Sequence, residues 1–203
     1  MSLFIVFEGL DGSGKSTQQQ LLNDKLLFDK ISSISFREPG STVTGDKIVE
    51  ILESDQKLSP ISELLLFYVS RSAMLEEKIK PALENYDVVI CDRYFYSSIA
   101  YQGYGRGMDI DFIYKINDEV VKNVIPDLIF YMDINWEEKK NRKGINIKDR
   151  FEKEDLIFHN KVRSGYKTMS KEDPGKWKLI DAEEDVNKIS SFIYDTVKSK
   201  LNI

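Results

Sequence analysis

Lys15 and Ser16 close the stretch Gly9-Leu10-Asp11-Gly12-Ser13-Gly14-Lys15-Ser16-Thr17, a G-x-x-x-x-G-K-S pattern. Glycines at those spacings let a loop turn through left-handed backbone conformations and aim successive N–H groups inward, which is how a polyphosphate is wrapped. A lysine there reaches the β and γ phosphates, and the following hydroxyl is a ligand for Mg²⁺. Residues 9–17 are therefore the candidate nucleotide-binding loop.

Other residues could complete such a site. Asp87-Val88-Val89-Ile90-Cys91-Asp92-Arg93-Tyr94 is an apolar run ending in a carboxylate and a guanidinium. In nucleotide-binding sheets a carboxylate at the end of such a strand holds Mg²⁺ or its water, so Ser16 and Asp92 are the candidate metal ligands. Arg37 precedes Glu38-Pro39-Gly40 at the carboxyl end of an alternating stretch, Ile31 to Phe36; from position alone it is either a ligand cation or a solvated turn residue. Phe67 and Arg71 lie four residues apart on one helical face. Together they suit a flat hydrogen-bonding ring such as a nucleobase, or they are a core phenylalanine with an arginine reaching solvent. Tyr94 to Gly107 is rich in aromatics, hydroxyls and glycines and reads as a pocket wall or a loop. Residues 141–150 form a basic run that is either a solvated loop or a lid carrying cations.

The elements that must position these residues alternate along the chain. Phe4–Glu8 reads as a buried parallel strand entering the glycine loop, with a helix over 17–28 carrying Leu21, Leu22, Leu26 and Leu27 toward the sheet. Further strands are predicted over 31–36, 87–92, 128–132 and 177–181. Helices are predicted over 46–54, from Ser59-Pro60 with a serine cap and proline at the first position, over 111–123 and 136–143, around Phe158, Val162 and Tyr166, and over 186–201 with Ile189, Phe192, Ile193 and Val197 inward. The helix from Ser59 should be buried around most of its circumference, and Lys80-Pro81 should break or kink it. Strands alternating with helices predict an α/β three-layer sandwich on a parallel sheet of about five strands, in one domain spanning 1–203.

Composition is that expected of a soluble globular protein. The 203 residues are 41% hydrophobic and 31% charged, with a net charge of −5. An acidic chain is poorly suited to a polyanion surface, so no nucleic acid is expected as a partner. The strand begins directly after Met1-Ser2-Leu3, leaving no room for a signal peptide, and no apolar run reaches membrane-spanning length; no membrane partner and a cytoplasmic location are the expectation. The single cysteine, Cys91, sits in an apolar run and reads as a small buried residue. The single histidine, His159, reads as a surface or packing residue.

Taken together, the glycine loop, Arg37-Glu38-Pro39-Gly40, Phe67 with Arg71, Asp92-Arg93-Tyr94, Ala100-Tyr101-Gln102-Gly103 and Asp149-Arg150-Phe151-Glu152 resemble thymidylate kinases of the bacterial type across nearly the whole chain. The resemblance implies a five-stranded P-loop kinase fold and a homodimer that transfers a phosphoryl group from Mg-ATP to dTMP, giving ADP and dTDP. By the same resemblance Phe67 stacks on thymine, Arg71 donates to its O4, Ser98 lies near N3, and Gln102 joins the substrate site. Tyr101 lies against the sugar, Asp11 takes the 3′-hydroxyl, and Arg37 and Arg93 clamp the acceptor phosphate. Lys15, Asp92 and Arg93 are the implied catalytic residues, with a further cation from a lid at about 141–153, either Arg142 or Arg150, because the loop itself holds no arginine. The acceptor is already mostly ionised, its second pKa being about 6, so charge repulsion rather than proton transfer is the obstacle. The alternative is a deoxynucleoside kinase or other small-acceptor P-loop kinase, which would need a base such as Glu8. A GTP-hydrolysing switch lacks support, since no Asn-Lys-x-Asp segment is present to read guanine.

Overall fold

The computed structural model describes residues 2–141, 151 and 153–203. Five parallel strands, β1 (Leu3–Gly9), β2 (Ser33–Arg37), β3 (Val88–Asp92), β4 (Leu128–Asp133) and β5 (Trp177–Asp181), lie in the order β2-β3-β1-β4-β5. The three central strands are apolar runs buried on both faces, as a sheet covered on both sides requires. Register decides where the site falls. Phe7 stands level with Asp92, which stands level with Arg37, and Gly9 is level with Met132. The chain moves from β1 outward to β2 and returns between them, then crosses from β3 to β4 on the other side. The carboxyl ends of β1 and β3 thus flank the point where the winding reverses, the usual crevice of an open parallel sheet.

The helices are α1 (Lys15–Phe28), α2 (Val43–Glu53), α3 (Pro60–Met74), α4 (Lys80–Asn85), α5 (Phe95–Ser98), α6 (Ile110–Val121), α7 (Trp136–Asn141), α8 (Leu156–Glu172) and α9 (Val186–Leu201). The Ser59 cap is present, its hydroxyl accepting from the Ser62 amide at 3.2 Å. α2 starts earlier than its apolar pattern suggests because Thr42 caps it, accepting from the Gly45 amide at 2.9 Å. β2 starts at Ser33, two residues later than expected.

Several sequence expectations are corrected. Of the break or kink expected at Lys80-Pro81, the break does not occur: a π-helical turn, Leu75–Ile79, leads into α4, and proline falls in the opening turn of that segment, where its missing N–H matters least. Within 94–107 the chain is helical rather than a loop, α5 continued by a π-helical stretch, Ile99–Gly105, and it is the pocket wall that its composition suggests, lining the cleft with Ser97, Ser98, Tyr101 and Gln102. Its glycines permit close packing: a Cβ on Gly105 would come within 2.6 Å of the Phe158 ring on α8. α3 is not buried all round, since Leu65 and Val69 are about half exposed. Leu27 and Phe192 also face outward, while Leu22, Leu26, Ile189, Ile193 and Val197 pack inward. Cys91 is buried, and His159 is a packing residue, buried and stacked on Trp136 at 3.6 Å. Among the described residues, no helix is long and apolar enough to cross a membrane.

Candidate active site

β1 runs into the glycine loop through Gly9, whose φ of 139° and proximity to β4 both demand glycine: a Cβ would lie 2.5 Å from the Met132 carbonyl oxygen. Gly14, at φ 93°, turns the chain into α1, whose first turn holds no acidic residue. The positive end of that helix is therefore left for an anion. Lys15 folds back along the loop, and its buried Nζ donates to the Gly9 and Leu10 carbonyls at 3.2 and 3.0 Å. Burial and the neighbouring Arg93 charge push this ammonium's pKa down, opposed by Asp92, Asp11 and Glu8.

Ser16, on the first turn of α1, donates to Asp92 Oδ2 at 3.3 Å. The second carboxylate oxygen, Oδ1, is buried and has no hydrogen-bond partner among the described residues. Two hard oxygen donors meeting beside a phosphate loop, one with an unused lone-pair set, fit a Mg²⁺ ion that would complete its shell with water and phosphate oxygens.

Arg93 follows Asp92 in a left-handed conformation, φ 67°, which is unusual for a residue with a Cβ and turns its side chain back over the loop. Its Nη2 pairs with Asp11 at 2.7 Å and lies 3.4 Å from the Tyr101 hydroxyl. Burial pushes the Asp11 carboxyl up, but Arg93, Lys15 and Lys139 together outweigh it and hold the carboxyl well below the usual range. The other nitrogen, Nη1, donates to Ser97 Oγ and the Tyr166 hydroxyl. Behind these hydroxyls is Glu8, fully buried and away from the cleft lining. Its oxygens already accept from the Tyr94 amide, Ser97 and Tyr166 at 2.7–2.9 Å. The base that a deoxynucleoside kinase would need is thus enclosed and committed to other donors, and that alternative is not favoured.

Arg71 is wholly buried, with Nη2 donating to Glu38, to Ser98 Oγ at 2.9 Å and toward the Tyr94 carbonyl. Its Nε and Nη1 are left without hydrogen-bond partners among the described residues. Burial pushes Glu38 up to about 7, against the lowering charge of Arg71. Gln102 is buried, its amide nitrogen donating to Glu63 at 2.9 Å.

One cleft of about 760 Å³ gathers these groups. Residues 11–17 of the glycine loop line it with Arg37, Phe67, Arg71, Asp92, Arg93, Ser98, Tyr101 and Gln102. The three arginines, separated by up to 56 positions in sequence, converge on this one cleft. Gly9 and Leu10 form the entry to the loop rather than the cleft wall. Arg142 and Arg150 lie outside the described residues.

The sequence reading missed three residues of this site. Lys139 looks like half of a solvated lysine pair, yet it is buried in the cleft wall, with Cγ 3.9 Å from where a Gly12 Cβ would stand and Nζ 4.5 Å from the centre of the Trp136 ring. Glu38 reads as a turn residue, and Tyr166 as ordinary helical core. A pattern of residue types in one segment carries no sign of such pairings, because each partner comes from a distant element.

The family described as Thymidylate kinase matches residues 7–193. A thymidylate kinase of Thermoanaerobacter pseudethanolicus is 41% identical over 199 residues, covering 98% of each chain. One of Staphylococcus haemolyticus is 39% identical over 199 residues, covering 97% of this chain and 98% of the relative. In three dimensions the fold is similar to the crystal structure of thymidylate kinase from Ehrlichia chaffeensis, with a TM-score of 0.80 and 34% identity over 97% of this chain and 98% of the other.

Proposed function

Since this chain belongs to the thymidylate kinase family and phosphorylates dTMP to dTDP at the expense of ATP, we propose that the transfer takes place in the cleft between the glycine loop, Arg93 and α3, with the following division of labour. Residues 9–17 hold the triphosphate, Lys15 meeting its β and γ oxygens once it leaves the Gly9 and Leu10 carbonyls. Ser16 and Asp92 hold Mg²⁺, which when bound neutralises phosphate charge. Phe67 lies against the thymine ring. Arg71 presents to the base edge the nitrogens that Glu38 and Ser98 do not occupy, and its donor there disfavours cytosine, whose exocyclic amine also donates. Ser98 and Gln102 meet the rest of that edge, Tyr101 packs against the sugar, and Asp11 takes the 3′-hydroxyl.

Arg37 and Arg93 hold the acceptor phosphate in line with the donor. An oxygen of that phosphate bonds to the γ phosphorus while the bond to the β–γ bridging oxygen breaks and ADP departs. No residue needs to remove a proton, since the nucleophile is already an anion; what the protein supplies is positive charge in fixed positions. A further cation is assigned to Arg142 or Arg150, and single replacements of each, read in turnover, distinguish them.

The observation that carries this reading is the convergence of Arg37, Arg71 and Arg93 on the cleft that also contains the glycine loop. Measuring transfer from ATP to a panel of nucleosides and monophosphates tests it: dTMP should be the best acceptor, and activity on thymidine equal to or above that on dTMP would overturn the assignment. Omitting Mg²⁺ should abolish turnover. The protein works in the cytoplasm as a homodimer through the face formed by α2 and α3. Ile51, Leu65 and Val69 are exposed there, and Phe112 of α6 lies exposed on a helix packed against α3. Sedimentation of the purified protein as a monomer at micromolar concentration would refute the dimer.

A further inference from the structure

We infer that Glu8 is a positioning residue for Arg93, acting through the hydroxyls of Ser97 and Tyr166, so that the direction of the phosphate-binding guanidinium is set from behind by a buried carboxylate. The inference rests on the assignment of Arg93 as the acceptor-phosphate clamp.

The two oxygens of Glu8 do separate work. Oε1 accepts from the Tyr94 amide at 2.9 Å, pinning the peptide that immediately follows the left-handed Arg93. Oε2 accepts from Ser97 Oγ at 2.7 Å and from the Tyr166 hydroxyl at 2.8 Å. Each hydroxyl has one proton. The two hydroxyls also lie 2.9 Å from each other, but the carboxylate is the stronger acceptor for both protons; with both directed to Glu8, the oxygen lone pairs of Ser97 and Tyr166 turn toward Arg93 and accept from Nη1 at 3.2 and 3.4 Å. The carboxylate therefore converts two hydroxyls of ambiguous polarity into a pair of acceptors. The remaining nitrogen, Nη2, is left on the cleft side, where it meets Asp11 and Tyr101.

Stability alone does not explain a carboxylate here. A buried charge carries a desolvation penalty that pairing often fails to recover, and a well-packed apolar group of similar volume commonly serves stability as well or better. What the charge adds is orientation, for the backbone turn and the side chain of the same residue. An arginine otherwise has four rotatable side-chain bonds, and transition-state stabilisation requires its donors to be in place before the charge moves. The parts come from three regions of the chain. Glu8 is the penultimate residue of β1, Ser97 is on α5, and Tyr166 is in the middle of α8, where its ring stacks on Tyr131 at 5.0 Å independently of its hydroxyl.

The test is a pair of double-mutant cycles. Tyr166→Phe and Ser97→Ala each remove one oxygen and leave the carbon framework. In the otherwise unchanged enzyme each should lower kcat about tenfold, while the dissociation constant for ATP, measured by calorimetry, moves less than about twofold. In an Arg93→Ala background the same substitutions should change kcat by less than about twofold, because the group they orient is gone. Unchanged kcat in the single variants overturns the inference, as does a tenfold loss that persists without Arg93, which would mean a general structural role. If one variant fails to fold, the other carries the cycle. The rates are read on whichever acceptor the wild-type enzyme turns over fastest, so a failure of dTMP as acceptor, which would strike the functional reading, stays distinct from a failure of this coupling.

Discussion

Replacing Arg71 separates base recognition from stability, provided two substitutions are compared. Arg71 anchors one side of its guanidinium on Glu38 and Ser98, and its Nε and Nη1, without hydrogen-bond partners among the described residues, are the donors proposed to meet the base. Arg71→Lys keeps a positive charge for Glu38 but replaces a planar fork with a single donor atom that cannot face both ways. Loss of one charge-assisted hydrogen bond costs about 1.5–3 kcal/mol, which at about 1.4 kcal/mol per tenfold is roughly a 10- to 150-fold rise in the dTMP dissociation constant. ATP binds on the glycine-loop side, and its constant should move less than about threefold by the same reasoning. Arg71→Ala should weaken dTMP similarly and also leave the Glu38 carboxyl buried without its cation, an arrangement that costs about 3–5 kcal/mol if the charge persists.

The pH sign of that second effect follows from Glu38. Its folded pKa of about 7 already exceeds the unfolded value of 4.5 because of burial, and removing Arg71 takes away a lowering charge and raises it further. A carboxyl with a raised folded pKa keeps its full stability contribution below the unfolded value and loses it as pH rises through the folded value. Thermal denaturation of Arg71→Ala should therefore show a larger deficit relative to wild type at pH 8 than at pH 6. Steady-state kinetics with each substrate varied in turn, together with calorimetry, measure the binding part. Equal losses for ATP and dTMP, or unchanged dTMP binding in Arg71→Lys, would refute the reasoning.

Arg93→Ala should lower kcat by about 10²- to 10⁴-fold with a much smaller change in ATP affinity, since its contribution is concentrated where charge redistributes; steady-state kinetics alongside direct ATP binding check this. His159 is held neutral by burial and by the nearby Lys139 charge, its pKa pushed down to about 4 from 6.5. Its stabilising contribution is complete above 6.5 and is lost as pH falls from there toward 4, by at most about 3 kcal/mol. Melting temperatures recorded across that window should fall more steeply for wild type than for His159→Phe. Gly165→Ala should destabilise the fold by about 1–3 kcal/mol, because the new methyl would stand 2.6 Å from the Tyr104 ring; urea denaturation followed by circular dichroism measures it.

Much of this protein was legible from residue order. The phosphate loop is a local device: its glycines, Lys15 and Ser16 act within one strand-to-helix turn, so their spacing contains the geometry. The five strands were legible because buried parallel strands are short apolar runs, and the cap at Ser59 because a cap is a contact between neighbours. Segment 94–107 was legible as a pocket wall but not as a helix, because its glycines resemble turn formers, whereas Gly105 lacks a side chain to admit Phe158 from another helix. Lys139 was passed over because burial of a long polar side chain is decided by what packs against it.

What the sequence by itself determined was the list of chemical groups and the layered architecture, since both follow from local spacing and hydrophobic period. Only the tertiary structure decided how those groups are paired: Glu38 with Arg71, Asp11 with Arg93, and Glu8 with Ser97 and Tyr166. Such pairs join positions up to 158 residues apart. Hydrogen bonding and charge act through space over a few ångströms, so which partners meet is fixed by strand register and helix packing rather than by distance along the chain.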